Sequence, residues 1–338
     1  MATGTYDLRN LTVAQRDRDS NTVTMRTGTR WFLRSERLEG LPRDFWLRRL
    51  EQLDPEADCA EIYGIIARHE FPWDLNQSLS FALFRTYAVP SIGVLLQETG
   101  EFTGRTQKRY DDTTLLLDAM GEHGLDSAEG RAALRRMNQM HAMYDISNDD
   151  LRYVLATFVA VPIRWLDDYG WRPLTEREKV ASAYYYRDLG RHMGIKEMPE
   201  TWQGFGSLMD AYEAEHFAYD SRAREVADAT LRLLATFPPN DRAPVRAMIR
   251  FSRAYMDDPL LDAFRYPRPT AAERRLARAA LRRRAAWLRR RPPRLTPLHV
   301  RDLPNVRSYP DGYDVRDLGT FAPTAPGRMA GCPHQPPA

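Results

Sequence analysis

Arg109, Thr113 and His141 are the residues whose types and spacing could do chemistry in this chain. Arg109, Thr113, Leu116 and Met120 recur at intervals of four, three and four, which puts them on one face of a helix. Leu134, Met137, His141 and Tyr144 share a face on the next predicted helix. Two apolar stripes therefore turn a guanidinium, a hydroxyl and an imidazole inward. Imidazole is a natural axial ligand for haem iron. A guanidinium makes paired bonds to a carboxylate such as a haem propionate. The same residues also have purely structural readings. A lone histidine on an apolar stripe is usually a hydrogen-bonded core residue. An inward arginine more often forms an ion pair, here with Asp112, Asp149 or Asp150. A mid-helix threonine can bond back to its own turn. Spacing alone leaves these alternatives open.

The elements that must position these residues are helices. Short amphipathic patterns begin at 41, with apolar residues at 46, 47, 50 and 53, and continue with Ile62, Ile65 and Ile66. The apolar stretch 72–102 is interrupted at Pro90, which predicts two helices meeting there. A helix over about 105–121 carries Arg109 and Thr113 and stops at Gly121 and Gly124. Ser127 starts the helix that carries His141 and runs to Tyr144, with early negative charge from Glu129. Ser147 and Asn148 start another, with Pro162 as a kink and Gly170 as its stop. Thr175 and Glu178 form a capping box. Further helices are predicted over 201–218, 221–236, 241–257 and 271–290, and no useful stretch alternates with period two. The chain reads as an N-terminal arm over 1–40, one all-helical domain over 41–290, and a Pro-rich extended arm and disordered tail over 291–338.

The strings FALFRTYAVPSIGVLLQETGEF (81–102), KRYDDTTLLL (108–117), GRAALRRMNQMHAMYDISNDDLRYVLATFVAVPIRWLDDYGWRPLT (130–175) and EREKVASAYYYRDLGRHMGI (176–195) resemble the rubber oxygenase (latex clearing protein) superfamily. They are closer still to its branch containing the fungal oxygenase that cleaves a farnesyl chain. The similarity spans roughly 60–260. It implies a single all-α domain with a globin-like helical core plus additional helices. It also implies haem b held through iron by His141, with Arg109 and Thr113 as the polar pair beside it. The activity it implies is oxygenation by dioxygen of a small apolar substrate, prenyl-bearing or polyketide-like. Two departures put rubber cleavage itself in question. The glutamate that rubber-cleaving members carry upstream of the arginine is not placed by the resemblance: Glu98 and Glu101 are both nearby, and neither aligns securely. A position that is lysine in some members is Asp112 here.

Composition narrows the classes further. The chain has 338 residues, 43% of them hydrophobic, with 49 basic against 46 acidic residues and a net charge of +3. That balance gives no global electrostatic case for nucleic acid. Cys59 and Cys332 have neither zinc spacing nor a disulfide framework, which fits a reducing compartment. The first residues are polar, and no apolar run approaches the ~20 residues of a membrane span. The expectation is a soluble cytoplasmic protein. Glu213-x-x-His216 resembles half of a di-iron motif, but no second pair accompanies it, so it reads as an exposed charged helix face. The basic run over 273–294 reads as a solvated helix packing its Leu and Trp on the core, with peripheral membrane contact or a polyanion as the alternative. Trp165, Trp171 and Tyr184 to Tyr186 read as core and pocket wall. Two rival functions stand beside the haem oxygenase: a non-haem di-iron helical-bundle oxygenase, and a non-catalytic helical protein whose basic segment binds a membrane or polyanion.

Overall fold

A computed structural model describes residues 41–320. The N-terminal arm over 1–40, Cys332 and the last part of the tail lie outside the described residues. The described chain is all-α and forms a single domain, with no β-strand.

α1 (Phe45–Leu50) and α2 (Cys59–Ile65) lead through a π-helical turn (Ile66–Glu70) into α3 (Pro72–Thr86) and α4 (Pro90–Glu98). The break predicted at Pro90 is present, and the two axes differ by 96°. Val89 is extended, as a residue before proline prefers, and Pro90 then occupies the first helical position, where its missing N–H costs nothing. One short turn, α5 (Glu101–Gly104), precedes the two helices that carry the candidate residues, α6 (Thr106–His123) and α7 (Ala128–His141). The Ser127 hydroxyl caps α7 by accepting the Gly130 N–H at 2.8 Å. α7 ends at His141, one turn short of the predicted end, so Tyr144 lies in the following turn.

α8 (Asn148–Tyr169) is the central helix. It starts on a Ser147 cap and runs unbroken past Pro162 to Gly170, and α3, α9, α10 and α14 pack around it. Its buried Tyr153, Ala156, Val159, Ile163 and Leu166 form the spine of the larger core. α9 (Glu176–His192) begins on the predicted Thr175–Glu178 capping box. α10 (Trp202–His216) and α11 (Ser221–Leu234) follow. The helix predicted over 241–257 is instead α12 (Val245–Arg253) followed by a separate α13 (Asp258–Ala263). The Asp257 carboxylate accepts the Leu260 N–H at 3.1 Å, and a proline sits in the first turn, so the second helix nucleates on its own cap. α14 (Ala271–Leu288) is the last helix.

Beyond it the chain is an extended arm with two 3-10 turns, and it is packed rather than loose. Leu303, Val306 and Leu318 are buried. Asp111 of α6 accepts the Arg307 and Ser308 N–H groups at 3.0 and 2.8 Å. Arg136 of α7 donates to the Leu318 and Thr320 carbonyls at 2.6 and 2.5 Å.

Candidate functional site

The arm, α6, α7, α8 and the α3–α5 bend enclose a cavity of ≈ 470 Å³. That volume is within the ~300–1,000 Å³ typical of small-molecule and cofactor sites. Its walls are mostly aliphatic and aromatic, with Ile92, Leu95, Leu117, Met137, Val154 and Phe158 among them. Arg109, Thr113 and His141 all reach it. The two helical faces read from the sequence therefore converge on one space, although Met120 and Leu134 from the same stripes go into the core instead.

His141 is the last residue of α7, so its ring projects from a helix end rather than from mid-helix. Burial, and then the nearby charge of Arg109, push its imidazole down to about 4. The ring is neutral at physiological pH and keeps a lone pair on one nitrogen. It has no hydrogen-bond partner among the described residues. A satisfied core histidine would have one.

Thr113 does bond back to its own turn, its hydroxyl donating to the Arg109 carbonyl at 3.0 Å. Its oxygen also accepts from Arg109 Nη1, which fixes the arginine along the helix. The guanidinium lies over the Phe102 ring, 5.0 Å from its centroid. None of the three aspartates considered from the sequence pairs with it. Asp112 is buried on another side of α6, held by Lys108 at 2.8 Å and by the Tyr309 hydroxyl. Asp149 pairs with Arg152 at 3.1 Å, and Asp150 accepts from Ser91 and Tyr212 at 2.9 and 3.0 Å. Arg109 thus brings a positive charge to the cavity with no carboxylate paired to it among the described residues.

The structure also separates two glutamates that the sequence left level. Glu98 is exposed and pairs with Arg222 at 3.2 Å. Glu101 is buried, lines the cavity and accepts from Arg105. Between them the chain turns at Gly100, which is left-handed with φ +70°, so α5 leaves α4 in a new direction and Glu101 does not share the face of Glu98. Gly319 and Thr320 close another part of the wall, from some 200 residues beyond α6. Gly319 has φ +83°, and a Cβ there would collide with the Met140 sulfur. Trp165, Trp171, Tyr185 and Tyr186 are core, as expected, but they do not line this cavity.

Glu213 is not on an exposed face, contrary to the sequence reading. It is buried between α10 and α3, paired with Arg85 and accepting from Tyr153 at 3.1 Å. Both oxygens serve a structural ion pair, so this glutamate is not free to ligate iron. Among the described residues one other group has metal-binding proximity: Asp118, Glu122 and His299. There Arg301 engages both Glu122 oxygens, and Asp118 accepts the Val300 N–H at 3.1 Å. A guanidinium stands where a cation would, and the cluster clips the arm onto α6.

Residues 75–290 match the family described as ER-bound oxygenase mpaB/B'/rubber oxygenase, catalytic domain. The chain is 31% identical over 303 residues to the ER-bound oxygenase mpaB' of Penicillium brevicompactum, covering 83% of this chain and 70% of that protein. It is 31% identical over 254 residues to the ER-bound oxygenase mpaB of Penicillium roqueforti (strain FM164), covering 69% and 85%. These relatives are named as bound to the endoplasmic reticulum, which overturns the cytoplasmic placement expected from the sequence. Among the described residues, no single helix is long and apolar enough to cross a membrane. The chain belongs to the family of mpaB-type and rubber oxygenases and is an oxygenase by that membership.

Proposed function

We propose that the cavity would hold haem b with His141 binding its iron, and that the protein uses dioxygen to oxidise an apolar organic substrate in the same cavity. The observation that carries this reading is the His141 ring: on the cavity wall, held neutral by burial, and without a hydrogen-bond partner among the described residues. A lone pair kept off protons and hydrogen bonds is what a metal ligand requires. The unpaired Arg109 fits the same guest, because a porphyrin carries carboxylates that a guanidinium binds in paired fashion. The apolar walls fit the macrocycle and a prenyl-bearing or polyketide-like substrate alike.

When bound, the haem supplies the dioxygen-activating chemistry. The chain's residues do the rest. His141 fixes the cofactor's position from the end of α7. Arg109, tied to Thr113, offers N–H donors in a space with little water. Glu101 offers a carboxylate to hold or accept a proton at the substrate. The aliphatic walls orient an apolar chain and exclude bulk water. In this reading the helices around the cavity form the globin-like core that the family resemblance implies. The arm after 291 belongs to the same catalytic unit because it closes the wall.

The test is an absorbance spectrum of the purified protein together with His141→Ala. A Soret band is expected in the wild type. In the variant, haem is expected to be lost at unchanged helicity and partly restored by added imidazole. Haem content that is equal in both proteins refutes the assignment, and iron without a Soret band refutes haem.

A further inference from the structure

α14 and the segment after it carry ten arginines and one glutamate between 273 and 294. Among the described residues, only Arg274 and Arg284 of these ten pair with a carboxylate, Asp258 at 2.5 Å and Asp74 at 2.9 Å. Ala277, Leu281 and Ala285 face the core. The sequence reading put Leu276 and Trp287 on the core as well, but they face outward, 69% and 40% exposed. Their separation of eleven residues returns them to the same side of the helix, with Arg283 and Arg290 on that side too. An apolar ridge flanked by unpaired arginines is the pattern of a helix lying on an anionic interface.

Beside this ridge is a second cavity, of ≈ 320 Å³, lined by Trp287 and Arg291 from the α14 end and by Arg43, Trp73, Arg284 and Arg294. Its acidic groups are already neutralised. Asp74 takes two 2.9 Å contacts from Arg284, and Glu70 is held by Arg43 and Arg172, both at 2.9 Å. Arg294 and Arg291 have no such partner among the described residues. Burial lowers the basicity of Arg294, and no carboxylate among the described residues offsets its desolvation. The Arg294 carbonyl is pinned by Trp46 Nε1 at 2.7 Å and lies 3.1 Å from His69 Nδ1, so its guanidinium extends from a fixed backbone. Arg291 lies over the Trp287 ring at 4.2 Å.

We propose that this cavity takes the phosphate of an anionic phospholipid while the Leu276–Trp287 ridge rests in the interfacial layer of the bilayer. Two guanidiniums without counter-charge call for an anion. An exposed tryptophan and leucine beside them call for the boundary between headgroup and acyl chain. A free phosphate would satisfy the first requirement and leave the second unmet. The proposal is independent of the haem assignment, because none of these residues lines the larger cavity.

Vesicle co-sedimentation of the full chain tests it, using vesicles of phosphatidylcholine alone and with phosphatidylserine added. Binding is expected only with the anionic lipid and is expected to weaken as salt rises. Arg291→Gln with Arg294→Gln should weaken binding roughly fivefold per arginine, about twenty-fivefold together. Arg291→Lys with Arg294→Lys should keep most of it, because the charge stays. Leu276→Ser with Trp287→Ser should weaken binding without changing its salt dependence. Equal binding to neutral and anionic vesicles overturns the proposal. So does wild-type binding by the double glutamine variant. Association with inorganic phosphate or an oligonucleotide, without association with vesicles, also overturns it.

Discussion

Arg109 Nη1 donates to the Thr113 hydroxyl one turn further along α6, and that hydroxyl donates in turn to the Arg109 carbonyl. The pair is a closed unit. The threonine locks the arginine along the helix, and the remaining guanidinium N–H groups stay free for the cavity. Arg109→Ala should weaken haem binding by about 1.5–3 kcal/mol, the value of hydrogen bonds to a charged group, or roughly ten- to a hundredfold. Titrating haem-free protein with haem measures this. Thr113→Val should lose less, because the charge remains and only its anchor is gone. If Arg109→Ala binds haem as tightly as the wild type, the guanidinium serves substrate or oxygen rather than a propionate.

Glu101 and Glu98 are three residues apart, yet only Glu101 reaches the cavity. Glu101→Gln keeps the volume and the bond from Arg105 while removing the carboxylate. If this group moves a proton, turnover should fall about a hundredfold with the haem spectrum unchanged. Substrate-dependent dioxygen uptake reads the effect. Glu98→Gln is the control, and it should match the wild type because Glu98 lies outside the cavity and pairs with the exposed Arg222. Undiminished uptake by Glu101→Gln would leave Glu101 as a support for α5.

Much of this arrangement is legible in the chain because its signals are local. Ser127, Ser147 and Thr175 cap the helices they were read to cap, and Pro90 breaks the chain where expected. Arg109, Thr113 and His141 reach one cavity because two helical periods were read correctly. What was not legible depends on partners distant in sequence. Leu303, Val306 and Leu318 follow no helical period, and they are buried because Asp111 and Arg136 bind the arm's backbone from α6 and α7. Glu213 looked like an exposed charge because Arg85, its partner, lies 128 positions away. Glu101 needed the direction of the turn at Gly100, which a glycine permits but does not specify.

The arm should be separable from the helices by a single change. Arg136 is buried and holds the Leu318 and Thr320 carbonyls. Arg136→Ala leaves both carbonyls without their charged donor, at a cost of about 1.5–3 kcal/mol per bond at most. The segment around 303–320 should then be cut faster by trypsin while far-UV helicity holds. Because Gly319 and Thr320 form part of the cavity wall, haem-bound protein should also show faster haem loss. Unchanged cleavage would mean that Asp111 and Tyr309 hold the arm without help.

α4 and α11 touch at Gly93, where no side chain fits. A Cβ there would lie 2.6 Å from that of Ala223 and would overlap the Tyr87 carbonyl. Backbone cannot swing aside as a flexible side chain can, so the helices must separate. Gly93→Ala should destabilise by about 1–3 kcal/mol, as overpacking does. That lowers Tm by roughly 1–2 °C per kcal/mol in a chain of 338 residues. Ile92 and Leu95 line the cavity on the same helix, so a shifted α4 should also alter ligand affinity there. A variant as stable as the wild type would show that α4 can move without cost.

Acid should weaken the fold through His69. Burial, partly offset by its hydrogen bond to the Arg294 carbonyl, pushes the His69 ring down to about 4, against roughly 6.5 in the unfolded chain. Between those values the unfolded state binds the proton and the folded state does not. Stability therefore falls as pH drops from about 6.5 towards 4, and this contribution is complete above that window. His69→Gln keeps a donor near Arg294 and cannot titrate. Denaturant midpoints across the window should slope less in the variant than in the wild type, with the two curves running parallel above about pH 7. Equal slopes at all pH values would mean that the folded protein protonates His69 in place, its packing against Trp46 at 4.2 Å yielding to admit the charge.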